Sequence, residues 1–297
     1  MLVGYFQVAV YVGGAGGRWQ VPGEATVMHN ELISRMRGPL AGEEPLVVAE
    51  LKEKYLAPPS TLPYNLTRHS IVKLKLGQSF GWEFYHYYIK YFFGDQRGGF
   101  FLEAGALDGE VLSNTLWLEM NLGWSGLLIE ADPGNFQHLT WRRRRAWTSN
   151  TYNQWIFKAN TRETDSYFTK FYDELSGSSR RAYSMAQCFP LVSYLLALNV
   201  TTIDFLSLDI QGNEWEVIKS LSPGQVVVRA MAVEHFAPAE SFSGGQRLDE
   251  AFIKYMEGVG YILVDVNLKT DYFFILKTDP RLRVKSDPDT IVKYKNK

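Results

Sequence analysis

Only one cysteine, Cys188, stands in the 297 residues. An intrachain disulfide is therefore impossible, and a zinc site built on several thiolates is excluded. Cys188 reads as a buried small hydrophobe, with an intermolecular bridge as the lesser reading. No run of ~18 or more consecutive apolar residues occurs, the length a membrane-spanning helix needs. The nearest stretch, Leu2–Val12, is short and lacks a basic flank before it. With the glycine-rich run Gly13–Gly17 behind it, it reads as a flexible start rather than a signal peptide. An excess of one charge is missing as well: 31 basic against 32 acidic residues leave a net charge of −1. No global field therefore points to nucleic acid or to a membrane surface as partner. A repeat of fixed period is absent too. Aromatics, by contrast, are plentiful at 14%, beside ordinary apolar (46%) and charged (21%) fractions. A chain of this size and composition can bury a full hydrophobic core.

Residues 1–78 read as an irregular N-terminal extension, rich in Gly and Pro, in which Leu46–Tyr55 alone has helical character. Two Asn-x-Thr sequons, at Asn65 and Asn199, matter only if the chain enters the secretory pathway. Order rises from Phe80, with an aromatic helix expected over Trp82–Phe93. Buried strands are predicted at Gly99–Glu103, Gly126–Glu130, Asp204–Ile210 and Val226–Val233, the last interrupted by Arg229, with a weakly marked one around Trp155–Phe157. Helices are predicted over Val111–Leu122, Pro133–Arg145, Leu191–Leu198, Glu214–Leu221 and Leu248–Gly258. Residues 160–187 are polar and read as a loop or lid. Two closing strands, Tyr261–Val266 and Tyr272–Leu276, are separated by 267–271. That link is too short for a parallel crossover, so the last strand must run antiparallel. Five strand–helix units followed by an antiparallel hairpin predict an α/β, Rossmann-like class I methyltransferase fold over residues 79–279. A dinucleotide-binding fold would stay parallel throughout. Residues 280–297 form a basic tail; from Arg281 onward it holds six basic and two acidic residues, the composition of a solvated segment.

Candidate chemistry collects at the carboxyl ends of these strands, where such sheets bind ligands. The first strand ends in Glu103-Ala104-Gly105-Ala106-Leu107-Asp108-Gly109. Gly105 and Gly109 allow a tight turn and close backbone approach. The spacing is not Gly-x-Gly-x-x-Gly, and the carboxylates of Glu103 and Asp108 would repel a pyrophosphate while suiting a ligand that carries ammonium and sulfonium groups. Glu130, ending the second strand, can accept hydrogen bonds from both ribose hydroxyls, further along than the ~20 residues usual for dinucleotide folds. Asp132 is placed to cap the following helix. Asp209 ends the fourth strand, where it could hold the ligand or act as a base; Glu214 is an acid near a helix start. Glu234-His235 ends the fifth strand, and His235 is a candidate proton acceptor beside Asp209. The Arg142–Arg145 run reads as a solvated helix end.

The segments GFFLEAGALDGEVLSNTLWLEMNLGWSGLLIEADP (Gly99–Pro133) and CFPLVSYLLALNVTTIDFLSLDIQGNEWEVIKSL (Cys188–Leu221) resemble the FkbM-type methyltransferase domain. Within that family they are most similar to the invertebrate Star-like branch. The FkbM resemblance implies S-adenosylmethionine as cofactor and methyl transfer, commonly to a hydroxyl oxygen. It assigns cofactor roles to Glu103, Gly105, Asp108, Gly109 and Glu130, and makes Asp209 the strand-four acid. One position departs from the family pattern: Gln211 stands where Glu is expected in Asp-x-Glu-Gly, so the side chain keeps its shape but cannot act as a base near neutral pH. The Star-like branch implies something different, a membrane-anchored protein of the secretory and endosomal system, in the endoplasmic reticulum, Golgi or endosome, that assists vesicle-mediated trafficking of protein cargo.

Two expectations follow. In the first, the domain is an S-adenosylmethionine-dependent methyltransferase acting on a small-molecule or glycan hydroxyl, with Asp209 and His235 at the acceptor and no metal. In the second, the same fold is kept as a non-catalytic trafficking module. An NAD-dependent oxidoreductase is disfavoured by the loop spacing and the terminal hairpin.

Overall fold

A computed structural model describes residues 41–67, 80–151, 187–210, 214–221, 226–237 and 247–285. In chain order the elements are α1 (Pro45–Glu50, continued by a π-helical turn Leu51–Tyr55), α2 (Glu83–Phe93), β1 (Phe100–Ala104), α3 (Leu116–Leu122), β2 (Ser125–Ile129), α4 (Pro133–Arg142), β3 (Trp147–Ser149), α5 (Leu191–Ala197), β4 (Thr202–Leu208), α6 (Glu214–Ser220), β5 (Val227–Glu234), α7 (Glu250–Gly258), β6 (Tyr261–Asn267), β7 (Asp271–Leu276) and α8 (Pro280–Lys285).

The seven strands make one sheet in the order β3-β2-β1-β4-β5-β7-β6. β1 to β5 pair in parallel, and β7 lies between β5 and β6, antiparallel to both. The three residues 268–270 between them make β6 and β7 a hairpin, its last pair Asn267 opposite Asp271. Both faces of the sheet are covered, so its strands carry apolar residues in either direction. Along β1, Leu102 and Ala104 face a core completed by α1, α5, α6 and α7. Phe101 faces the opposite core, filled by Tyr85, Ile89, Phe92 and Phe93 of α2 with Leu118, Leu122 and Leu139. This is the Rossmann-like class I methyltransferase architecture predicted from the strand pattern.

Several boundaries differ from the sequence reading. The third strand is Trp147–Ser149; Trp155–Phe157 lies outside the described residues, as do Leu2–Val12, residues 160–186 of the polar loop, Gln211 and the tail beyond Lys285. The helix expected from Val111 begins only at Leu116, because Asp108 folds the preceding residues into a turn by accepting from Glu110 N (2.9 Å) and Val111 N (2.7 Å). α4 stops at Arg142, where Arg143 takes a left-handed conformation (φ 57°). Its start is as expected, with Pro133 in the first turn and the Asp132 carboxylate accepting from Asn135 N at 2.8 Å.

The arginine run is not a solvated helix end. Arg144 is only 2% exposed; its guanidinium pairs with Glu119 (2.9 Å) and donates to the Gly109 carbonyl, Ser113 Oγ and Thr115 Oγ1. Arg229, which interrupts the apolar run of β5, is likewise buried and paired with Asp204 and Asp279, the latter also capping α8. Isolated charges cannot be buried at this depth, so each arginine carries its carboxylates with it. The described part of the N-terminal extension packs on the domain: Val47 and Leu51 are fully buried, and Ala57 bridges to Thr148 along the β3 edge.

Candidate active site

The carboxyl ends of β1, β4 and β5 meet at a narrow cleft lined by Glu103, Gly105, Leu107, Leu112, Asn114, Ser207, Leu208, Asp209, Ala232 and Glu234, with Trp82 and Tyr85 at the start of α2 forming one wall. β1 delivers the glycine loop. Gly105 has φ +83°, and a Cβ there would collide with the Asp209 carbonyl oxygen, so this position requires glycine on two counts. Two leucines of the same loop, Leu107 (φ 51°) and Leu112 (φ 58°), also sit in the left-handed region. Branched side chains seldom adopt it, and such strain gathers at functional loops.

Glu103 is buried and spends its carboxylate on its own chain. It accepts from Asn114 N (2.7 Å), Ser113 Oγ (2.8 Å) and Thr115 Oγ1 (2.5 Å). Burial pushes its pKa up, against the opposing pull of Arg144 and these hydrogen bonds. Asp108 is similarly committed to the turn and to an ion pair with Arg142. Glu130, just past β2, accepts from Leu107 N (2.7 Å) on one oxygen and Asp132 N (2.8 Å) on the other. Burial raises its pKa to about 7, although those two backbone bonds act to lower it. The Asn135 side chain bonds the same carboxylate, and of its roughly four acceptor positions one is left for a hydroxyl.

The far side of the cleft is a carboxyl pair. Glu234 hydrogen-bonds Asp209, and its pKa lies far above the ordinary carboxylate range, first through burial and then through repulsion by Asp209. Two carboxyls this close hold one proton between them. Asp271 behind them is raised to about 6 by burial, partly offset by bonds from Asn267 and from Tyr85 Oη at 3.3 Å. The Tyr85 bond, with Tyr88 Oη to Asp265 (2.6 Å), fastens α2 to the terminal hairpin and so fixes the cleft wall.

Of the residues singled out in the sequence, Glu103, Gly105 and Asp209 line the cleft together. Glu130 stands one hydrogen bond behind Leu107, and Asp108 and Gly109 support the loop from below. His235 does not reach the cleft. It is buried between α6 and α7, its Nε2 3.1 Å from Asp249 and Nδ1 3.6 Å from Glu214, with the Phe252 ring centroid 4.3 Å away and Trp215 edge-on at 6.0 Å. Side chains alternate along an extended chain, so a strand end that turns Glu234 into the cleft sends its neighbour to the other face. Glu234, Asn114, Ser207, Trp82 and Tyr85 complete the site without having been picked from the sequence; alternation along β4 and β5 was the available signal for Ser207 and Glu234. Among the described residues no cluster has the makeup of a metal site, and no helix is long and apolar enough to cross a membrane.

The sequence model of the methyltransferase FkbM domain matches residues 103–263, from the end of β1 into β6. The chain belongs to the FkbM methyltransferase domain family. The match takes in the cleft apart from Trp82 and Tyr85, and the family implies S-adenosylmethionine as methyl donor. Among solved structures, the FkbM domain here is similar to a METTL16 MTase domain at 14% identity, covering 82% of this chain and 85% of that one (TM-score 0.36). It is similar to another structure of the METTL16 MTase domain at 13% identity, with 86% and 91% covered (TM-score 0.36). A human methyltransferase 10 domain containing protein matches at 12% identity, with 81% and 100% covered (TM-score 0.30). Likeness this loose adds nothing to the family match. No curated protein matches the sequence significantly.

Proposed function

We propose that this FkbM domain transfers a methyl group from S-adenosylmethionine to a hydroxyl of a small-molecule or glycan acceptor, in the cleft between the glycine loop and the Asp209–Glu234 pair. The observation that carries the reading is Glu130, a buried carboxylate at the end of β2 that is bonded to the cleft loop through Leu107 N and keeps acceptor capacity beyond its Leu107, Asp132 and Asn135 bonds. The donor set fits the cofactor. Glu130 suits a ribose hydroxyl, and the Asn114 Oδ1, buried without a hydrogen-bond partner, offers an acceptor to the ammonium of the methionine end. Among the described residues the cleft lining carries carboxyls and no basic side chain, which favours a sulfonium over a phosphate.

The cofactor supplies an electrophilic methyl group. The chain's own residues position the partners and manage one proton. Glu103 and Asp108 act by shaping the loop, since their oxygens are taken up by backbone and hydroxyl donors. Gly105 lets β4 approach so that Asp209 stands opposite the loop. The Asp209–Glu234 pair receives the acceptor's hydroxyl proton as its oxygen is methylated. His235 serves from behind, bracing α6 and α7 through Glu214 and Asp249. Positioning supplies most of the rate in such a reaction, so few reacting side chains are needed.

Calorimetric titration of the full chain with S-adenosylmethionine and S-adenosylhomocysteine tests the reading. Both should bind, and Glu130→Ala should weaken them by up to roughly 100-fold, the loss expected for a hydrogen bond to a charged acceptor. A folded wild-type chain that binds neither at millimolar ligand would overturn it and leave a binding module on a methyltransferase fold.

A further inference from the structure

The polypeptide before the family match is in direct contact with the glycine loop. Residues 56–67 run along the β3 edge and then past the C-terminal end of α4. Ala57 exchanges both backbone hydrogen bonds with Thr148 (2.9 and 3.0 Å). Ser60 N donates to the Arg144 carbonyl (3.0 Å), and Asn65 N to the Arg142 carbonyl (3.1 Å). At the end of this run Thr67 reaches Glu110, its backbone N–H at 2.9 Å and its Oγ1 at 3.1 Å from one carboxylate oxygen. Glu110 is completely buried, and the same oxygen lies 3.1 Å from Arg142 Nε, while the other end of that guanidinium pairs with Asp108. Asp108 in turn holds the turn at Glu110 and Val111. Hydrogen bonds from Thr67 to Glu110, ion pairs of Arg142 with Glu110 and Asp108, and the Asp108 turn thus link residues 56–67 to the loop that carries Leu107 and Leu112.

That loop has a reason to need an outside hold. Two left-handed leucines store strain, and strained conformers persist only where their surroundings over-determine them. Leu107 is also the residue whose N–H meets Glu130, so a loop that relaxes at Leu107 or Leu112 changes both the cleft wall and the carboxylate behind it. We infer that residues 56–67 are a built part of the cofactor site, a strap in which Thr67 is a positioning residue that keeps the glycine loop in its binding shape through Glu110 and Arg142. The inference rests on the methyltransferase reading and extends the site beyond the family's matched region, to residues that share no sequence motif with it.

Thr67→Val removes the hydroxyl while keeping side-chain shape and the backbone bond; Thr67→Ser restores the hydroxyl. Two measurements on the full chain decide the matter: the dissociation constant of S-adenosylhomocysteine, and amide hydrogen exchange at Leu107 and Val111 in the ligand-free protein, compared with Leu102 and Leu128 in the sheet. Thr67→Val should weaken binding about tenfold, the order of one hydrogen bond to a charged group, and speed exchange at the two loop amides while the sheet amides keep their rates. Thr67→Ser should match wild type in both. A purely structural strap would lower stability and leave the affinity of the folded protein and the loop exchange unchanged; that result would overturn the inference. If wild type binds neither donor nor product, the methyltransferase reading falls, and unchanged loop exchange in Thr67→Val would separately dismiss the strap.

Discussion

Replacing Arg144 with Met removes the guanidinium from the most densely bonded point under the glycine loop. Arg144 is 2% exposed and Glu119, its partner, 4%. Without the arginine, the Glu119 carboxylate keeps the Arg145 N–H (2.7 Å) and loses its counter-charge, while the Gly109 carbonyl, Ser113 Oγ and Thr115 Oγ1 each lose a donor. Breaking one side of a buried ion pair costs about 3–5 kcal/mol, mostly through the charge left behind. With a urea dependence of roughly 2 kcal/mol per molar, the unfolding midpoint should fall by about 2 M at constant slope. The double variant Arg144→Met/Glu119→Leu removes the stranded charge together with its cause, so it should be more stable than Arg144→Met alone. The assay is urea denaturation followed by tryptophan fluorescence on the wild type, both singles and the double. If Arg144→Met costs under ~1 kcal/mol, or if the two single effects simply add, the pair is not the buried brace described here.

Two further outcomes depend on pH. Glu130 sits at about 7 in the free protein because burial disfavours its charge, and hydroxyls donating to it would favour the ionised form. S-adenosylhomocysteine should therefore bind more tightly as pH rises through about 7, with a proton released on binding, and Glu130→Gln should flatten that rise; calorimetry in two buffers of different ionisation enthalpy reads both. Glu234 is held protonated in the folded state by burial and Asp209, whereas the unfolded chain releases that proton near pH 4.5. Its contribution to stability is full below that pH and is lost as pH rises toward the folded value, so Glu234→Gln should raise the melting temperature more at about pH 8 than at about pH 5. An equal shift at both would mean that the pair does not share a proton.

The parts of this protein that were legible in sequence are those governed by local pattern. Apolar runs bounded by glycine and proline located β1, β2, β4 and β5, and the five-residue link fixed the antiparallel hairpin, because no parallel crossover fits into it. The short β3 escaped: at three residues it has almost no periodicity, and its place is set by pairing with β2 and by the strap at Ala57. Carboxylates at strand ends were found as a class, since the fold itself sends those ends to the ligand edge. Their individual duties were not readable, because a carboxylate facing a ligand and one tying down its own loop look alike until donors are placed around them.

What the sequence determined by itself is the fold class, the sheet edge where the strands' carboxyl ends gather and the residues crowded at it, all of which follow from hydrophobic period, link length and glycine position. The tertiary structure decided who faces what. It turned Glu234 into the cleft and His235 into an aromatic pocket. It drew Arg142 and Arg144, members of a run that reads as surface, beneath the glycine loop, and it joined Thr67 to that loop across 43 residues of chain. Burial and charge compensation act between segments far apart in sequence, so only the folded chain reveals which carboxylate each arginine must meet.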